Sequence, residues 1–298
     1  MPSSGDDEAR RRPPPWGRDH WPSPAAPGQS GLWSAPASSA SLAPATRSDG
    51  AAWLVFALVG FVVGQIVALL AAAVGAAVTG NSGHLSQIEN LAAPPAWYIG
   101  SSLIGLWVGF FLAPVIASRS RGTRRFAADL GIAFRVADLL GLLIGVGGQV
   151  VVTVLYLPFI SHLHNFSAPT TKLTGGAHGG SFAVIAIMTV LGAPFFEEVF
   201  FRGLLFRGLL SVLGATGPRL AAGTAGAGSV LAAVLLDGLL FGAAHAELEQ
   251  LAGLAVFGCI LAVVAFKTGR LGMNMVAHAT FNFVAVIAIA TSRSGVIH

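Results

Sequence analysis

The chain has 298 residues, 54% of them hydrophobic and only 10% charged, with a formal net charge of +4 and a mean hydropathy of +0.73. This balance excludes a soluble multidomain enzyme and points to an integral membrane protein. One cysteine, Cys259, excludes a disulfide-stapled scaffold, and the arginines gather at segment ends rather than on one face, so no nucleic-acid partner is expected.

Residues 1–50 hold nine of the 16 prolines, an arginine run from Arg10 to Arg12 and no apolar period, which reads as a disordered cytoplasmic tail. From residue 51 to 292 the pattern changes to apolar runs of a length that crosses a hydrocarbon core of about 30 Å at 1.5 Å per residue. The expected spans are 52–78, 97–117, 137–160, 181–201 or beyond, 228–247, 249–266 and 272–291, with residues 293–298 as a short tail. The fold class is therefore all-α, a polytopic transmembrane bundle of seven helices, or eight if 195–213 crosses separately. A polar loop with His162, His164, Lys172 and His178, and a glycine-rich stretch at 217–228, read as solvated connections.

Lysine and arginine alternate between connections. The tail has five, the 79–96 loop none, the 118–136 loop five, and the 161–180 loop only Lys172. Because the cytoplasmic side retains such residues, the N-terminus is expected in the cytoplasm and the protein in the cell membrane.

Ionisable side chains inside apolar runs cost several kcal/mol and are functional candidates by default. The fourth span carries Pro194, Glu197, Glu198 and Arg202; the fifth carries Asp237, Phe241 and His245; the last carries His278 and Asn282. On a helix Glu198 and Arg202 share a face and neutralise each other, which leaves Glu197 unpaired in an apolar surround, as a general base requires. The competing structural reading pairs both glutamates with Arg202 and Arg207 as a packing clamp. Phe241 and His245 share a second face, with Asp237 near it as an accessory acid or a helix-pairing group. His278 and Asn282 share a third. A proton acceptor, two imidazoles and an amide on three helices are the parts that water activation and oxyanion stabilisation need. Since His245 falls near the end of its span, convergence requires a long bent fourth helix, a break at Gly192-Ala193-Pro194, or a shifted fifth helix.

The order Glu-Glu-x-x-x-Arg, then Phe-x-x-x-His, then His-x-x-x-Asn resembles the CPBP intramembrane endopeptidases, the family of type II CAAX prenyl proteases and bacteriocin-processing or Abi proteins. Lys267-Thr268-Gly269-Arg270-Leu271 is similar to the family's approach to its last histidine, with Arg270 in place of the usual serine. The resemblance is strong over 181–291. It implies that Glu197 activates a water with His245, that His278 and Asn282 stabilise the oxyanion, and that Glu198, Arg202 and Phe241 support them. No cofactor is required in that reading. The alternative is a zinc ion on Glu197, His245 and His278, although the His-Glu-x-x-His helix of zincins is absent. The partners implied are a membrane-associated peptide or protein substrate and lipids. Two rival functions use the same residues: an ion- or proton-coupled transporter, and a non-catalytic scaffold or immunity protein.

Overall fold

The computed structural model describes residues 44, 46–89, 91, 93–162, 176–215 and 226–293. Among them run seven helices long and apolar enough to cross a membrane, and no strand. They are α1 (Arg47–Val78), α2 (Ala96–Arg121), α3 (Gly141–Tyr156, the α-helical part of the apolar stretch Val136–Phe159), α4 (Gly180–Val212), α5 (Ala227–Ala244), α6 (Leu248–Thr268) and α7 (Gly272–Arg293). Residues 180–212 form one continuous helix, so the count is seven and 195–213 does not cross separately.

Most of the expected tail lies outside the described residues, as do residues 294–298, residues 163–175 with His164 and Lys172, and most of the glycine-rich connection. The first helix begins at Arg47, four residues before the expected boundary. Its cap explains this: the Thr46 hydroxyl accepts from the backbone N–H of Asp49 at 3.1 Å.

The outward faces are apolar, with Leu58, Leu69 and Val74 of α1 and Leu143 of α3 exposed, as expected of surfaces that meet lipid tails. Small residues permit the inward contacts. Ala57, Gly60, Gly64, Ala72 and Ala76 make a buried stripe on α1, and a methyl group added at Gly105 of α2 would lie 2.6 Å from the Ala68 backbone. Helices α5 and α6 approach as closely, since a Cβ at Gly258 would sit 2.8 Å from the Gly238 Cα. Such contact brings the polar residues of neighbouring helices within bonding reach of one another.

At the end of the bundle that carries the arginine-rich connections, three clasps tie helix ends together. Arg270 reaches Asp138 at 2.6 Å, joining the start of α7 to the turn before α3. Arg207 donates to the Gly269 carbonyl at 2.9 Å, and Asp129 accepts from Ser118 at 2.6 Å. Arg270, where the resemblance has serine, thus has a structural partner in the buried Asp138. Gly269 closes α6 in the left-handed region, at φ 68, where a side chain would be strained.

Candidate active site

The site is built around the middle of α4. Proline lacks the backbone N–H that an uninterrupted helix uses, and around Pro194 the winding widens. Residues 188–192 and 199–205 are π-helical, flanking one α-helical stretch that holds both glutamates. The Ala193 N–H bonds back five residues to Met188. Continuing that pattern, the next N–H would reach Thr189, but Pro194 has none to offer. The Thr189 carbonyl is instead bonded by the Asn282 amide of α7 at 2.8 Å. The expected break at Gly192-Ala193-Pro194 is therefore a change of winding within one helix, and it anchors a candidate catalytic side chain. Such π-turns recur at functional sites.

The two glutamates part company. Glu198 is fully buried and accepts three bonds: from Arg202 at 3.1 Å, from the Asn274 amide at 3.2 Å, and from His278 Nδ1 at 2.9 Å. Arg202, also fully buried, donates to the Gly258 carbonyl at 2.9 Å and lies 3.3 Å from Asp237, with its guanidinium 4.3 Å from the centre of the Phe241 ring. Asp237 is thus the helix-pairing group, bridging α5 to α4. The alternative clamp does not form, because Arg207 turns to Gly269 and Glu197 takes no part. The Glu197 side chain is 14% exposed, and its buried Oε2 has no hydrogen-bond partner while lying 3.8 Å from His278 Nε2.

A cavity of about 330 Å³ opens in front of this pair, lined among others by Thr189, Glu197, Phe241, His245, His278 and Asn282. All four candidate catalytic residues therefore face one space, and the long α4, with Glu197 near its middle, resolves the mismatch of depth with His245. Phe241 sits between the imidazoles, with its ring 4.9 Å from that of His245 and 5.5 Å from that of His278. His245 caps the end of α5, and its Nδ1 bonds to the Phe241 carbonyl at 2.8 Å. A carbonyl only accepts, so the bond places the proton on Nδ1 and turns the Nε2 lone pair outward. A second cavity, of about 480 Å³ between α1, α4 and α5, is lined by apolar side chains such as Leu54, Phe61 and Phe200 and carries no ionisable group.

Residues 179–284 match the family of Rce1-like type II CAAX prenyl endopeptidases. No curated protein and no solved structure matches the chain. The CAAX-protease-like region begins at the turn before α4 and ends within α7, so it holds every residue of the cluster. It also holds one that the sequence reading passed over. Asn274 is fully buried and donates to Glu198 and, at 2.7 Å, to the Leu261 carbonyl. It stands four residues before His278, as Asn282 stands four after, so a search for polar residues at helical spacing finds it. No three His, Cys, Asp or Glu side chains among the described residues are grouped closely enough to hold a metal ion. The Nδ1 bonds of His245 and His278 leave the Nε2 of each free, as a ligating imidazole requires.

Proposed function

We propose that this protein is an intramembrane endopeptidase in which Glu197 activates a water to hydrolyse a peptide bond. The observation that carries this reading is the division of labour between adjacent glutamates: Glu198 is saturated with bonds, and Glu197 is unbonded and faces the cavity. In the first step Glu197 takes a proton from water, assisted by the Nε2 lone pair of His245, as the water oxygen bonds to the carbonyl carbon. The carbonyl oxygen gains the electron pair and is stabilised by His278 and by the second N–H of the Asn282 amide. His278 gives its Nδ1 proton to the Glu198 bond, so it donates from Nε2 only as the imidazolium, whose charge the Glu198 carboxylate balances. The intermediate then collapses, the C–N bond breaks, and the proton held by Glu197 passes to the leaving nitrogen.

The substrate of this reading is a membrane-associated peptide or protein, and the N-terminus lies in the cytoplasm. The direct test is turnover of a membrane-peptide library by purified protein in lipid, comparing wild type, Glu197→Gln and His278→Ala with and without a zinc chelator. Glu197→Gln should lower kcat by about 10²–10⁴-fold. Cleavage that is equal in all three proteins would remove these residues from catalysis, and loss with chelator alone would require a bound metal.

A further inference from the structure

We propose that the cavity receives its substrate from the extracytoplasmic face, so that the peptide cut is an exported or extracytoplasmic juxtamembrane segment rather than a cytoplasmic one. The placement of the mouth and the distribution of charge carry this jointly. The cavity is lined by His245, Glu247 and Gln250 at the α5–α6 turn, by Leu103 in the first third of α2, by Thr189 in the first third of α4 and by Ile289 near the end of α7. Because consecutive helices run in opposite directions, these positions share one end of the bundle. Glu197, Phe241 and His278 form the deeper part.

Charge separates the two ends. Of the 11 lysines and arginines among the described residues, nine fall at the opposite end: Arg47, Arg119, Arg121, Arg124, Arg125, Arg135, Arg207, Lys267 and Arg270. Arg293 falls at the end of the mouth, and Arg202 lies between. Retention of basic connections in the cytoplasm orients the nine inward, and the cavity then faces out. None of its lining residues is a lysine or arginine, and it carries the carboxylates of Glu197 and Glu247.

That a peptide is what enters rests on the protease reading; the direction of opening does not, and the two are tested separately. In a chain carrying Cys259→Ala, single cysteines are introduced at Gly83, which has open space around it, and Glu247 on the mouth end, and at exposed Ser120 on the other. Intact cells are treated with a membrane-impermeant maleimide. Labelling of Gly83→Cys and Glu247→Cys in intact cells, with Ser120→Cys labelled at least tenfold more after permeabilisation, is the expected result; the reverse pattern overturns the proposal. Peptides that the protein cleaves in detergent are then added to right-side-out and inside-out vesicles containing wild-type protein. Cleavage confined to right-side-out vesicles is expected, and cleavage confined to inside-out vesicles contradicts the proposed access. An absence of cleavage in detergent with labelling from outside would defeat the protease reading and leave the orientation standing.

Discussion

At the residue scale the two adjacent carboxylates show how burial sorts identical groups into different roles. Glu198 lies at the centre of a network spanning α4, α6 and α7, and each bond it accepts fixes a donor that would otherwise be buried without a partner. Asn274→Ala removes the bond to Glu198 and the bond to the Leu261 carbonyl, and we expect a loss of about 1–3 kcal/mol in stability. Thermal unfolding in lipid checks this, and kcat should change much less, since His278 keeps its bond to Glu198. A second prediction concerns Ala246, which holds the α5–α6 turn at φ 55, a conformation that costs a non-glycine residue about 1 kcal/mol. Ala246→Gly should raise the unfolding temperature. Asn274 and the His245 Nδ1 bond illustrate what the sequence hides at this scale. Glu197, Glu198, Arg202, His245, His278 and Asn282 are legible because charge and amide groups stand out in apolar runs, whereas which glutamate is saturated depends on Asn274 and His278, some eighty residues away.

At the element scale the decisive feature is the winding of α4. Spans were legible to within a few residues because a hydrocarbon core demands continuous apolar helix, and the end of each run is marked by glycine, proline or arginine. The π-turns were not. Pro194 signals a disturbance, but the outcome depends on a partner from another helix, the Asn282 amide, which bonds the carbonyl that Pro194 leaves open. Pro194→Ala supplies an N–H that competes for the Thr189 carbonyl. It should lower kcat by about tenfold or more through a loosened Asn282, with no loss of thermal stability. The effect should be less than additive with Asn282→Ala, as coupled neighbours show; full additivity would separate the proline from the amide.

At the scale of the whole molecule, charge is stratified. The arginine-rich end is tied by Arg270 to Asp138 and by Arg207 to Gly269, the fully buried Glu198, Arg202 and Asp237 occupy the middle, and the cavity opens at the far end. Asp138→Asn weakens the first clasp, which is mostly buried, and is expected to lower thermal stability while leaving kcat near that of wild type, because no part of the clasp lines the cavity. Which connections are rich in arginine and which have none was legible in the sequence. That the cavity opens at the arginine-poor end was not, since it depends on how seven helices tilt against one another and on a turn of three residues, His245 to Glu247, that brings two side chains to the mouth.

The central claim is that Glu197 does chemistry while Glu198 holds structure, and a paired measurement on Glu197→Gln and Glu198→Gln tests it most directly. Each variant in lipid is scored for peptide turnover and for unfolding temperature. Glu197→Gln is expected to unfold like wild type with turnover lowered by about 10²–10⁴-fold, and Glu198→Gln to lose stability by about 1–3 kcal/mol, because Arg202 keeps only Asp237 as a carboxylate partner and Asn274 and His278 lose a charged acceptor. Wild-type turnover by Glu197→Gln, or an unfolding temperature for Glu198→Gln equal to that of wild type, would contradict the claim.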